Sequence, residues 1–341
     1  MPAALFRCDG GPAPGIGHLV RCRALAAALD AHGWRSVFAV TRETATYVSG
    51  AQVVIVPPGL EGADAVAAEK FDSLIVDHYG LDAAFETAAC GNAALVVAID
   101  DLADRPHDCD VLLDANPERT ATDYRGLVAS DSRFLLGLKH ALLRPEFMQS
   151  RPAVARAPRN RVERLLIVLG GADPGRATER VLEALPQLRA MLMQVTLVIG
   201  PANARRDALA GKAREYGARA VVDPSDLAGL MASADLAIAS ASTTSLELAC
   251  LGVPALILVT AENQRGLARA LAKAGAGQLL GECGDVDAKQ IALAVAALSE
   301  DQASRLRMSD AGRDLVDGQG SRRVAAFIAD MLSVKQREMQ S

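Results

Sequence analysis

The chain is short of aromatic residues, 4% of 341 positions with a single Trp, so any core must be built from aliphatic side chains. Neither sign of charge is in large excess: 36 Lys and Arg stand against 41 Asp and Glu, a net charge of −5. That balance argues against a general nucleic-acid or membrane-surface partner and leaves room only for local basic patches on a phosphate ligand. No apolar run is long enough to span a bilayer. Arg7 and Asp9 interrupt the charged-then-apolar pattern of a signal peptide. The six cysteines, Cys8, Cys22, Cys90, Cys109, Cys250 and Cys283, have no paired spacing. A disulfide framework and a zinc signature are therefore not expected, and reduced thiols in a cytoplasmic protein are. No metal and no cofactor are anticipated.

What is present is an ordinary soluble balance, 50% hydrophobic and 23% charged, on a length that suits two domains. The alternating apolar run 3–8 reads as a first strand, the small-residue stretch 9–15 as a loop, and 19–29 as a helix with Leu19, Cys22, Leu25, Ala26 and Leu29 at core spacing. Gly15, Ile16, Gly17, His18 and Arg21 lie at this strand–loop–helix junction. Glycines there admit a ligand to the backbone, and the helix N-terminus favours negative charge. The same dipole end favours a neutral imidazole on His18, able to accept a proton. The bland alternative is a histidine that caps or packs.

Strands follow at 35–41, 52–57, 72–77, 94–99, 110–114, 133–136 and 141–144, separated by helical stretches such as 63–69 and 81–90. The runs at 72–77 and 94–99 are continuously apolar, as in strands buried on both faces. Repeated β/α alternation of this kind implies a parallel sheet with helices on both sides. Polar residues gather just after these strands: Asp9, His18, Asp77, His78, Tyr79, Asp100, Asp101, Asp114 and Asn116. Ligands of open α/β sheets bind beyond the carboxyl ends of strands, so these residues are expected to converge. Asp101 and Asp114 read best as turn or capping residues. Asp77 or Asp100 is suited to orient a histidine, and Tyr79 to stack on or hydrogen-bond a sugar. The Pro/Ala/Arg-rich stretch 151–161 reads as a linker between a first domain at 1–150 and a second at 162–334.

The second series repeats the opening pattern. A strand at 164–169 leads through Gly170-Gly171-Ala172-Asp173-Pro174 into a helix, and strands follow at 194–199, 219–222, 236–239 and 255–259. Ser240 to Ser245 is a run of small and hydroxylated residues entering a helix, a suitable diphosphate cradle that needs no metal. Glu247, one turn in, is placed to accept hydrogen bonds from ribose hydroxyls. Glu262-Asn263-Gln264 again lies beyond a strand end. The remainder, 286–332, is mostly helical, and the helix after Gly318-Gln319-Gly320 is expected to pack back onto the first domain.

Two such domains facing across a cleft resemble the GT-B fold, an α/β architecture of paired Rossmann-like domains. More specifically, Phe6-Arg7-Cys8-Asp9, Gly15-Ile16-Gly17-His18 with Arg21, Val76 to Asp82, Ile99-Asp100-Asp101, Leu143 to Phe147, Gly170 to Pro174, Ser242-Thr243-Thr244 with Glu247, Glu262-Asn263-Gln264 and Asp317-Gly318 are similar, in order, to the PseG/SpsG family of the MurG-like superfamily. The resemblance runs from about residue 5 to residue 330. It implies a hydrolase of the pseudaminic acid pathway, hence of flagellin glycosylation, releasing UDP from UDP-2,4-diacetamido-2,4,6-trideoxy-β-L-altropyranose with inversion at the anomeric carbon. It places the proton-accepting histidine on His18, the sugar-contacting tyrosine on Tyr79, and the nucleotide-binding Glu and Asn on Glu247 and Asn263. Gly17, Arg21, Asp77, Arg144, Gly171, Ser242, Thr243, Thr244 and Gln264 complete the expected substrate-binding set. His78 is a rival base. Ser240-Ala241 departs from the glycine pair common before this Ser-Thr run. The expected partner is a small-molecule UDP-sugar, with no nucleic acid and no membrane, on a monomer or weak oligomer. A glycosyltransferase of the same architecture, a hydrolase for another 2,4-diamino UDP-sugar and an idle binding module are the competing readings.

Overall fold

A computed structural model describes residues 1–11, 15–91, 93–152, 159–171, 173, 175–191 and 193–338. Most of the expected linker, and positions 172 and 174 of the second glycine motif, lie outside the described residues. The chain divides into two compact units, Met1–Pro145 with Gln319–Ser341, and Glu146–Gly318.

The first unit runs β1 (Ala3–Cys8), α1 (Gly17–Asp30), β2 (Arg35–Val40), α2 (Arg42–Ala45), β3 (Gln52–Ile55), α3 (Ala63–Ala67), β4 (Ser73–Asp77), α4 (Ala83–Ala89), β5 (Leu95–Ile99), β6 (Val111–Asp114) and β7 (Arg133–Leu136). All seven strands are parallel, in the order β3-β2-β1-β4-β5-β6-β7. Every residue of β1, β4, β5 and β6 is buried, which explains the continuous apolar runs of β4 and β5. Alternation assigns Ala4, Phe6 and Cys8 to a core shared with α1, and Leu5, Leu74 and Val76 to a core with α3 and α4.

The second unit runs α5 (Pro145–Ser150), β8 (Arg164–Val168), α6 (Ala177–Leu188), β9 (Gln194–Ile199), α7 (Arg206–Glu215), β10 (Arg219–Val222), α8 (Leu227–Ala232), β11 (Leu236–Ser240), α9 (Thr243–Leu251), β12 (Ala255–Val259), α10 (Arg265–Lys273), β13 (Gln278–Glu282), α11 (Ala288–Glu300) and α12 (Gln302–Leu315). Its six parallel strands are ordered β10-β9-β8-β11-β12-β13. Leu165, Ile167 and Leu169 pack against Val181, Leu182 and Leu185 of α6 and Ile291, Val295 and Leu298 of α11.

The last helix, α13 (Gly320–Glu338), belongs to the first unit. This differs from a second domain extending to 334. The reason is packing: Val324, Ala325, Ile328 and Leu332 complete the core over α1, and burying each of the larger three contributes roughly 2 kcal/mol. The strand expected at 141–144 is absent. Ala141, Leu142 and Leu143 are buried, but their backbone turns to α13 instead of a sheet neighbour. Ser321 Oγ donates to Leu143 O at 2.9 Å, and a Cβ on Gly320 would lie 2.1 Å from Ala141 O. No helix among the described residues is long and apolar enough to cross a membrane.

Candidate active site

Each sheet reverses its winding once, between β1 and β4 in the first unit and between β8 and β11 in the second. The carboxyl ends of strands at such reversals open a crevice for ligands. In the first unit α1 starts there with Gly17 and no side-chain cap, leaving its first amides unblocked by a neighbouring side chain. A Cβ on Gly17 would meet nothing within 4 Å.

His18, the second residue of α1, is buried, and its Nδ1 donates to Oδ1 of Asp77, the last residue of β4, at 2.5 Å. Arg21, one turn further along α1, donates Nε to Asp77 Oδ2 and Nη2 to Asp77 Oδ1, both at 2.6 Å. Asp77 is wholly buried, and burial by itself raises a carboxyl pKa. The charges and hydrogen bonds of Arg21 and His18 outweigh it and hold Asp77 far below the usual carboxylate range. An ionised Asp77 fixes the His18 proton on Nδ1, so in the neutral ring Nε2 carries the lone pair. Arg21 Nη2 also approaches Nδ1, at 3.2 Å, as a second donor on the same carboxylate oxygen. Among the described residues Nε2 has no hydrogen-bond partner. The geometry is that of a base oriented by an acid.

Tyr79 follows β4 and sets its ring edge-on to the imidazole, with centroids 4.4 Å apart and planes at 80°. Its hydroxyl donates to Asp101 Oδ2 at 3.1 Å. Burial and the Asp101 charge push this phenol well above its ordinary value, so it stays protonated. Arg21 Nη1 donates to the same Asp101 oxygen at 3.0 Å. His18, Asp77, Arg21, Asp101 and Tyr79 thus form a closed ring of contacts. Arg21 directs all three of its guanidinium nitrogens into this ring.

His78 is differently placed. Its Nδ1 accepts Gly80 N at 2.9 Å, and its Nε2 lies 3.5 Å from Asp9 Oδ2. Both ring nitrogens face protein groups, so the rival base has no lone pair to offer a water. Asp9 is itself a hub: Oδ1 accepts Thr41 N, Thr41 Oγ1 and Thr44 Oγ1, each at 3.0 Å, while Oδ2 accepts Arg7 at 2.7 Å. It ties the start of the glycine loop to α2. Asp100 does not orient His18. It accepts Arg105 at 2.8 Å, Ala103 N at 2.7 Å and Tyr124 OH at 3.0 Å. Arg144 is half-buried ahead of α5.

In the second unit, Gly170 takes φ of +93° and Gly171 passes so close to Gly200 that a Cβ there would fall 2.2 Å from Gly171 O. Asp173 caps α6, accepting Ala177 N at 2.9 Å and Thr178 N at 3.0 Å. At the start of α9, most of the expected cradle amides already have acceptors. Ser242 N donates to Ser240 O at 2.9 Å, Ser245 N to Ser242 O at 2.9 Å, and Thr244 N to Ser242 Oγ at 3.3 Å. Thr243 N is left without an acceptor among the described residues. Ala241 N is also committed, to Leu258 O at 3.0 Å. Glu247 is buried on α9 and Asn263 is exposed beyond β12. Gln264 Oε1 accepts Thr260 N at 2.9 Å and Thr260 Oγ1 at 3.1 Å, so it shapes the turn that carries Asn263.

Sequence reading passed over Asp101 as a capping residue and gave Tyr124 no part. The doublet Asp100-Asp101 at a strand end was the signal: only one of two adjacent acids can cap the turn, and here Asp100 does.

No family model matches the chain. It is 27% identical to the spore coat polysaccharide biosynthesis protein SpsG of Bacillus subtilis, over 97% of this chain and 98% of that protein. It is 29% identical to the UDP-2,4-diacetamido-2,4,6-trideoxy-beta-L-altropyranose hydrolase of Campylobacter jejuni, over 61% of this chain and 73% of that enzyme. The likeness to the PseG/SpsG family read from the motifs therefore extends over most of the sequence. Among solved structures, Acinetobacter baumannii MurG superposes with a TM-score of 0.64 at 16% identity, covering 97% of this chain and all (100%) of that one. The spinosyn forosaminyltransferase SpnP gives 0.62 at 17% identity, over 97% and 99%. These place the two parallel-sheet units in the GT-B fold class.

Proposed function

We propose that this protein is an enzyme acting on a UDP-sugar, and that it hydrolyses UDP-2,4-diacetamido-2,4,6-trideoxy-β-L-altropyranose to UDP and the free sugar in pseudaminic acid biosynthesis. The observation that carries the reading is the His18–Asp77 pair, a buried imidazole oriented through Nδ1 at a strand-end reversal. The names of the two relatives, one a hydrolase of this compound, support the substrate class.

His18 Nε2 takes a proton from a water as its oxygen attacks the anomeric carbon. The bond from that carbon to the phosphate oxygen breaks, its electron pair leaves with UDP, and the anomeric centre inverts. Asp77, kept ionised by Arg21, stabilises the imidazolium that forms, as an acid does behind any histidine base. UDP is a good leaving group, so stabilising its charge suffices and no general acid is required. Thr243 N and the Thr243 and Thr244 hydroxyls supply diphosphate donors, Glu247 and Asn263 hold the nucleoside, and Tyr79 contacts the sugar. Arg144 and Gly171 remain in the substrate-binding set.

The test is UDP release from the diacetamido substrate, with proton NMR following the anomeric signal, in wild type and His18→Ala. Release with inversion, lowered roughly a hundredfold or more in the variant, is expected. Release at the wild-type rate in His18→Ala removes His18 from the role. Release only after an acceptor is added makes the protein a glycosyltransferase.

A further inference from the structure

Asp101 caps nothing among the described residues. Its side chain faces Arg21 and Tyr79 through Oδ2, while Oδ1 is buried without a partner. A carboxylate left half-satisfied in this way needs a reason. The loop that carries it is firmly set. Asp100 Oδ2 holds Ala103 N, Arg119 Nη2 donates to Leu102 O at 2.5 Å, and Ala103 is forced to φ of +54°. A left-handed alanine costs about 1 kcal/mol, a strain retained only where the surroundings impose it.

We infer that Asp101 is a positioning residue: it supplies the second negative charge of a cluster built to receive an imidazolium on His18, and it holds Tyr79 edge-on to that ring. The argument is one of charge balance and rests on the reading of His18 as the base. Among the described residues Arg21 is the one cation bonded to Asp77, and Asp101 takes its remaining nitrogen. Two carboxylates against one guanidinium leave a single negative charge uncompensated while His18 is neutral. The proton taken from water brings the cluster to neutrality. Without Asp101, Arg21 and Asp77 would already cancel, and the imidazolium would leave the cluster with a net positive charge. Among the described residues, the titratable and charged groups in contact with His18 are Asp77 at the end of β4, Arg21 on its own helix and Tyr79 after β4. Behind these lie Asp101 after β5, and Cys22, whose Sγ sits 3.4 Å from Asp77 Oδ2; Arg119 meets Asp101 only at its backbone carbonyl, at 3.4 Å, and pairs its charge with Asp114. The buried Cys22 thiol is pushed up and stays neutral, so Asp101 is the one further charge in the ring.

The experiment is a histidine NMR titration of the full chain in wild type, Asp101→Asn and Asp101→Ser, with the His18 resonance assigned by its loss in His18→Gln. Asn keeps an acceptor for Arg21 and Ser removes the charge with less bulk, and either suffices if the other does not fold. The His18 midpoint is expected to fall by about one pH unit in both, a tenfold loss of imidazolium stability. It is expected to stay in place in Asp104→Asn, which removes an exposed acid of the same loop. Asp101→Glu restores the charge and moves the midpoint back toward wild type. A His18 midpoint unchanged in the neutral variants overturns the inference, and so does an equal fall in Asp104→Asn. On the diacetamido substrate the acid limb of kcat/KM moves down with the midpoint, and kcat falls more than KM changes. If wild type releases no UDP, the hydrolase reading fails while the titration still decides Asp101.

Discussion

Arg21 meets Asp77 with two donors at once, Nε on Oδ2 and Nη2 on Oδ1, each at 2.6 Å, on a carboxylate that has no exposure to solvent. The planar fork of arginine matches the two oxygens, and a lysine at this position has one nitrogen to place. Arg21→Lys is therefore expected to lower stability by about 2 kcal/mol in chemical denaturation, and Arg21→Ala by about 3 kcal/mol, since removing one partner leaves a buried charge. Both are expected to lower kcat. A fully active, fully stable Arg21→Ala protein would contradict the structural part given to Asp77.

His78 provides the contrast with His18. Asn at this position keeps an acceptor for Gly80 N, so His78→Asn preserves the turn. Its effect on UDP release is expected to stay below roughly tenfold, against the hundredfold or more that a positioned base is worth. A loss as deep as that of His18→Ala would exchange the two assignments.

Asp114 yields a pH prediction. Burial, with the charges of Asp101 and Asp100, pushes its carboxyl up to about 6 despite hydrogen bonds from Asn116 N and Tyr124. An unfolded Asp titrates near ~4, so between these values the folded protein holds a proton that the unfolded chain has released. Stability from this group therefore falls as pH rises through that window and stays low above it. Asp114→Asn, which never ionises, is expected to gain on the order of 2 kcal/mol over wild type at pH ~8 and much less at pH ~4. Melting curves at the two pH values check it; equal gains at both would show that Asp114 does not titrate in the folded protein.

Thr243 allows the diphosphate role to be separated from folding. It is the first residue of α9, its amide has no acceptor among the described residues, and Ser242 before it is extended, with φ of −135° and ψ of −168°. Proline suits the first helical position and requires an extended residue ahead of it. Thr243→Pro is therefore expected to melt within a few degrees of wild type yet bind UDP about tenfold more weakly than Thr243→Ala, which lacks the hydroxyl but keeps the amide, the worth of one hydrogen bond to a charged group. Calorimetric titration with UDP measures it. Equal binding by the Pro and Ala variants would remove this amide from the cradle.

Much of this arrangement could be read in advance because it is local. The acids after β4 and β5 follow buried strands, and the glycines before α1 precede a helical period, so periodicity locates them together. What could not be read is which acid serves which partner. Asp77 reaches His18 across 59 positions and Asp101 reaches Arg21 across 80, through the neighbour order β1-β4-β5, which no sequence period encodes. The segment 141–144 failed for a related reason: its apolar residues are buried as a strand's would be, but by a helix nearly two hundred positions away. β13 gave no signal because its residues are half-buried and Gly281 breaks its register beside β12.

The dependence of the first unit on α13 has a consequence for the order of events during synthesis. The helix that carries His18 emerges from the ribosome about three hundred residues before α13, yet one side of its core stays open until the residues from Val324 to Leu332 arrive. Domains usually fold as they are made, the first before the second. Here the leading sheet must wait, with apolar surface exposed, while the whole of Glu146–Gly318 is translated and free to fold ahead of it. Chains interrupted just after Gly318 would hold a finished second unit behind an unfinished first one. The chemistry assigned to His18 thus becomes available only to chains that extend through α13.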